Sequence, residues 1–145
     1  MARPLTFSLA GLTGLILLML IAWHGGVLHM VSVWQNSPAY VHGFLVPLVS
    51  AGLIYDGWRK GEKFTTWPLA LAGVAASAAF YGVATFADLQ VGQHIAVVSG
   101  LISVLALVLG RSFAIRHRFA LLFLYCAVPM GEEIVPLLQE ITASA

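Results

Sequence analysis

Five apolar stretches separated by short polar connections organise the chain. They run from about Leu5 to Trp23, Tyr40 to Tyr55, Trp67 to Phe86, Val91 to Leu109 and Phe119 to Met130. A hydrocarbon core about 30 Å thick takes roughly 20 helical residues, so the first and fourth stretches suffice as they stand. The second is shorter and carries Pro47 near its start, where neighbouring helices can satisfy a freed carbonyl. The third, with "LALAGVAASAAFYG", is rich in Ala and Gly. Small residues let helix backbones approach closely, which predicts an interior helix. The fifth is short and runs into Pro129, so it reads as either a short span or a re-entrant segment. Beyond it, Ile134, Leu137, Leu138 and Ile141 recur at helical spacing and predict an amphipathic helix at the outer interface. Residues 24–39, "HGGVLHMVSVWQNSPA", read as an outer connection.

Charge placement sets the expected topology. Arg3 precedes the first stretch, Arg59, Lys60 and Lys63 follow the second, and Arg111, Arg116 and Arg118 follow the fourth. The two remaining connections contain no Lys or Arg. The positive-inside rule then places the N-terminus and both basic loops in the cytoplasm. His24, His29, His42, Asp88, His94, Glu132, Glu133 and Glu140 fall on the outer side. The first stretch lacks a convincing small-x-small cleavage site and is expected to remain as a signal anchor.

Composition supports this reading. Hydrophobic residues make up 60% and charged residues 9% of 145 residues, against about a quarter charged in soluble domains. A chain this apolar has too little polar surface to coat a soluble core, so its solvent is the lipid bilayer. The few basic residues, with a net charge of +1, give no nucleic-acid footprint. The expected fold class is all-α: a polytopic integral membrane protein, one membrane domain over residues 1–145, forming a bundle of four to five transmembrane helices with a cytoplasmic N-terminus.

Candidate chemistry is sparse. Outer-side histidines and carboxylates are ligand types that suit zinc, copper or iron. No pair, however, has the spacing that puts two ligands on one helical face, and His24 and His29 are five apart. Bis-histidine haem ligation would require His42 and His94 at matched depth. The sequence therefore assigns no metal and no cofactor. Cys126, in "LFLYCAVPM", is the sole cysteine, so no internal disulfide forms. Its apolar neighbours predict an inert buried thiol. Asp56 reads as a helix-end residue paired with Arg59 or Lys60, and Trp58 and Trp67 as interface anchors. His42 reads as an interfacial histidine that can bond an exposed helix carbonyl.

From Trp34 through "YVHGFLVPLVSAGLIYDGWRK", the chain resembles the beginning of the exosortase/archaeosortase family. The matching positions are Trp34, the Tyr-x-His-Gly element at Tyr40, His42 and Gly43, then Pro47, and the Trp58–Arg59 pair at the cytoplasmic helix end. Pro68, Gln93 and Pro129 extend the likeness. The resemblance implies a membrane cysteine transpeptidase or protease of the bacterial inner membrane that processes exported proteins bearing a PEP-CTERM-type C-terminal sorting signal. Trp34, Tyr40, His42, Gly43 and Pro47 would shape its outward-facing site. The family's catalytic Cys, in an Ala-Cys-Ser-Gly context, and its later Arg and His have no counterpart here, and Cys126 does not fit that context. No catalytic residue is assigned. The chain is expected to be an N-terminal half, truncated before the catalytic motifs, inactive alone and partnered by the missing C-terminal half. The alternatives are a small non-enzymatic membrane scaffold or subunit, or a His-ligated metal or haem protein.

Overall fold

A computed structural model describes residues 5–60, 65–131 and 134–145; of residues 5–9, Gly57 and Trp58 it describes the backbone alone. Every regular element among the described residues is helical. The order is α1 (Leu5–Ala22), α2 (His24–Asn36), a 3-10 turn (Pro38–Phe44), α3 (Leu45–Arg59), α4 (Ala70–Phe86), α5 (Gln90–Leu109), α6 (Arg111–Arg116), α7 (Arg118–Phe123), a second 3-10 turn (Leu124–Ala127) and α8 (Ile134–Ala143).

Two segments are long and apolar enough to cross a membrane, Pro38–Asp56 and Gln90–Leu109. A third exists if Ala10–Ala22 and His24–Asn36, bent by 84°, form one broken span. Ala70–Phe86, Arg118–Ala127 and Ile134–Ala143 are apolar but shorter. A count of four to five spans would therefore rest on these shorter helices, a number that length and composition do not fix.

α5 is the central post. Its C-terminal half, with Val104, Leu105 and Leu109, forms a core with Leu12 and Met19 of α1, Phe113 of α6 and Leu121 of α7. Its N-terminal half contributes Val97 and Val98 to a second core with Met30 and Trp34 of α2, Val46 of α3, and Leu124, Ala127 and Val128. Both cores are held by dispersion between closely packed side chains, since lipid tails are as apolar as the residues they would replace.

The Ala/Gly-rich α4 lies at the rim of the bundle, packed mainly against α5. Only Ala70, Ser77 and Ala84 along it are buried, so it is not the interior helix its composition predicts. Its small residues do permit close approach. A β-carbon on Gly73 would lie 2.6 Å from Ser103 Oγ, and one on Gly92 2.9 Å from Ala84 Cβ.

α2 departs most from the sequence reading. Its buried positions, Gly26, Met30, Val33 and Trp34, have helical spacing, a signal readable inside a stretch whose composition reads as a connection. The break before it is patched from α4. The Tyr81 hydroxyl accepts from the Gly26 N–H at 3.1 Å and donates to the Trp23 carbonyl at 3.4 Å. The Tyr81 ring stacks on Trp23 with centroids 5.1 Å apart. Backbone groups freed at a bend in an apolar setting need such partners. Trp23 in turn fits against Gly100, halfway along α5, where no β-carbon could be accommodated.

The chain sorts its polar groups between two ends. Arg59 and Lys60 close α3, and Arg111, Arg116 and Arg118 lie in the short helices after α5. At this end the Trp67 N–H donates to the Leu107 carbonyl at 2.9 Å. Gly110, with φ of 99°, lies against the Thr65 backbone. His42 and His94 lie toward the opposite end, near the starts of α3 and α5.

Candidate functional site: a stapled turn before the third helix

The seven residues Pro38–Phe44 hold the Tyr-x-His-Gly element as a 3-10 turn, with Pro at its start. Proline suits this position because its fixed φ fits a first turn and its missing N–H would have no intrahelical partner there. Pro47 is the third residue of α3, which continues directly from this turn.

Two hydrogen bonds tie this region to the segment that ends the second 3-10 turn. The indole of Trp34, 6% exposed, donates from Nε1 to the Ala127 carbonyl at 2.7 Å in a buried setting. The Tyr40 hydroxyl accepts from the Gly131 N–H at 2.8 Å. Between them lies Pro129, fully buried.

Gly43 explains its own presence in the motif. A β-carbon there would run into the pyrrole edge of the Trp34 indole, at Nε1 and Cδ1. Phe44 meets the same ring edge-on, with centroids 5.2 Å apart and planes at 70°. Gly131 is constrained similarly, because a β-carbon would collide with the Tyr40 hydroxyl. Trp34, Tyr40, Gly43 and Gly131 thus form one interlocked unit.

His42 lies on the exposed side of this unit, its ring 6.3 Å from that of Tyr40 and tilted by 41°. Its side chain is exposed while the turn beneath it is fixed. A depression of about 350 Å³ beside the Tyr40–Gly131 contact is lined by Ser37, Ala39, Tyr40, Gly131, Val135 and Pro136. A second groove, about 420 Å³ and almost wholly apolar, runs from Pro47 along Ser50, Ala51, Ile54 and Tyr55 of α3, with Leu101 and Leu105 of α5 and Leu124 opposite. Its floor is fixed by a buried bond from Ser50 Oγ to the Ala120 carbonyl, 3.0 Å.

The other candidates divide. Cys126 is exposed, not buried as its neighbours predict; the second 3-10 turn rotates it away from the core formed by Leu124 and Ala127. Asp56 pairs with Lys60, Oδ2 to Nζ 2.6 Å, and Arg59 ends α3 exposed. The side chain of Trp58 lies outside the described residues, as do Arg3, Lys63, Glu132 and Glu133. His94 does not meet His42 but His29, with Nε2 3.1 Å from His29 Nδ1. Among the described residues no group of three His, Cys, Asp or Glu side chains is placed to hold a metal. Sequence reasoning missed Ala127 and Gly131 as partners, since neither offers a side-chain signal.

An all-helical protein with membrane-length apolar helices and a glycine-dependent turn at the head of one of them is the class the geometry defines. A family model described as transmembrane exosortase matches residues 34–145, which begins at Trp34 and takes in the whole stapled unit. The chain belongs to the transmembrane exosortase family. Neither the curated proteins nor the solved structures gave a significant match.

Proposed function

We propose that this chain forms the outward-facing recognition part of an exosortase-type cysteine transpeptidase or protease in the bacterial inner membrane, acting on exported proteins with a PEP-CTERM-type C-terminal sorting signal. The observation that carries the reading is the stapled turn, with family-motif residues Trp34, Tyr40 and Gly43 locked together and His42 left exposed above them. The adjoining apolar groove beneath Pro47 has the lining a substrate's membrane helix needs, and Ser50 and Ala51 are small enough for close helix approach. The clustering of basic residues away from His42 supports an orientation with the N-terminus inside and the turn outside.

In this reading His42 orients the substrate backbone at the outer boundary and is not the nucleophile. Trp58 and Arg59 mark the cytoplasmic end of the helix. Catalytic cysteine chemistry is not carried by Cys126, which has no cationic residue beside it in sequence to stabilise a thiolate. The isolated chain is accordingly expected not to cleave a sorting-signal reporter.

A photo-crosslinking amino acid at Ala51, with the protein in membranes alongside a reporter bearing a sorting tail, tests the docking. Crosslinks to the reporter's helix that vanish when the tail is replaced by an unrelated membrane helix are expected. Equal crosslinking to both helices would sink the docking role and favour a non-enzymatic scaffold. Reporter cleavage by the isolated chain that is abolished by Cys126→Ser would overturn the assignment of no catalytic residue.

A further inference from the structure

The apolar groove that starts at Pro47 ends beside charges that docking of a substrate helix does not use. α3 packs against α7 and the two 3-10 turns, while α1, α2 and α4 pack against α5. The groove is the gap left between α3 and α5. From Pro47 to Tyr55 it follows α3 for eight positions, about 12 Å at the helical rise. That is close to the depth of one leaflet in a hydrocarbon core about 30 Å thick. Its walls are almost wholly apolar, and the Ser50 hydroxyl is spent on the Ala120 carbonyl.

At the basic end of the molecule, Arg59 follows Tyr55 by one helical turn, so the two are surface neighbours on α3. Arg59 is exposed. The carboxylate closest to it in sequence, Asp56, is held by Lys60 at 2.6 Å. Among the described residues Arg59 therefore has no ion-pair partner. On the opposite wall, Leu105 leads down α5 to Gly110 and then to the exposed Arg111, first residue of α6. Arg111 likewise has no ion-pair partner among the described residues. An apolar slot one leaflet deep, with unpaired guanidinium groups at its foot, is complementary to a molecule with an apolar tail and an anionic head.

We propose that the groove holds one acyl chain of an anionic glycerophospholipid from the leaflet at the basic end, with the lipid phosphate on Arg59 and Arg111 adding to the attraction. Guanidinium matches phosphate geometry through paired N–H donors, and basic pockets between membrane helices at the cytoplasmic face hold such headgroups. A zwitterionic lipid brings its own cation beside Arg59 and is disfavoured. The acyl chain gains the dispersion contacts that the gap between α3 and α5 leaves unmade. The assignment rests on the orientation and the groove proposed above, and it names the occupant that an entering substrate helix displaces.

The full chain in detergent micelles is titrated with phosphatidylglycerol or phosphatidylcholine of matched chains, and bound lipid is counted by native mass spectrometry. One retained phosphatidylglycerol per chain is expected, with phosphatidylcholine held about fivefold or more weakly. Arg59→Gln should erase that preference while keeping helical circular dichroism and melting temperature, because Arg59 is exposed at a helix end. Arg118→Gln removes an equal charge from α7, no residue of which lines the groove, and should keep the preference. Ala51→Trp, which plugs the groove from an exposed position, should abolish retention of both lipids. Equal retention of the two lipids by the parent, an equal loss in Arg118→Gln, or full retention by a folded Ala51→Trp protein would each overturn the proposal. No reporter is present in this titration. A negative result therefore leaves the expected crosslinking at Ala51 standing, and loss of that crosslinking leaves lipid retention standing.

Discussion

α3 is preceded by a turn held to Ala127 and Gly131 by one buried and one partly buried bond, and it finishes near an exposed pair between Asp56 and Lys60. The upper contacts join residues 93 and 91 positions apart in sequence; the lower one joins residues a single helical turn apart. At the upper end every group is fixed by shape. Gly43 has no room for a side chain, and the Trp34 indole fills the space against Ala127. At the lower end, side chains 72% and 63% exposed share a bond that water and salt can replace. The difference separates a segment built to hold one geometry from a segment that need only remain polar at a membrane boundary.

Substitutions at the two ends sharpen that contrast. Trp34→Ala should have the largest effect, because it empties a core position and strands the buried Ala127 carbonyl. A loss of about 3–5 kcal/mol is expected, read as a lower melting temperature in detergent. Gly43→Ala follows at about 1–3 kcal/mol, since the added methyl must displace the indole. A double variant with Trp34→Phe, which shrinks the ring, should recover part of the Gly43→Ala loss; simple additivity would break the claim that the two residues interlock. Tyr40→Phe removes the acceptor for the Gly131 N–H and is expected to cost about 0.5–1.5 kcal/mol. Asp56→Asn should change stability least, by under about 1 kcal/mol, with any effect fading as salt is raised. A larger loss at Asp56 than at Tyr40 would reverse the comparison.

The parts of this fold written in local hydrophobicity are legible in the sequence. α1, α3, α4 and α5 fall on the first four apolar stretches because a long apolar run in lipid can satisfy its backbone only as a helix. The motif around His42 was legible as a pattern, though not its mechanics. Nothing in "YVHGF" says that the glycine is sized to an indole from the preceding helix. α2 was missed because its apolar stripe sits among Gly, His, Ser and Gln, diluting mean hydropathy, although Met30, Val33 and Trp34 keep helical spacing. The thiol of Cys126 was misplaced for a related reason. Apolar neighbours in sequence signal burial in a regular helix, but the 3-10 turn at Leu124–Ala127 changes which residues face the core. The pairing of His29 with His94 spans 65 positions and depends on the 84° bend before α2. A hydropathy profile carries no information about such a bend.

The central claim is that the stapled turn exists to present His42 to an exported substrate. It is tested most directly by His42→Ala in native cells, measuring processing of a sorting-signal reporter beside the abundance and melting temperature of the variant. His42 is exposed, with its ring centroid 6.3 Å from that of Tyr40, so stability should stay within about 0.5 kcal/mol of the parent. Reporter processing should fall sharply, as it should in Gly43→Ala, where the turn itself is disturbed. Full processing by the His42→Ala protein at normal abundance would contradict the account, leaving the turn as a packing device without a part in substrate handling.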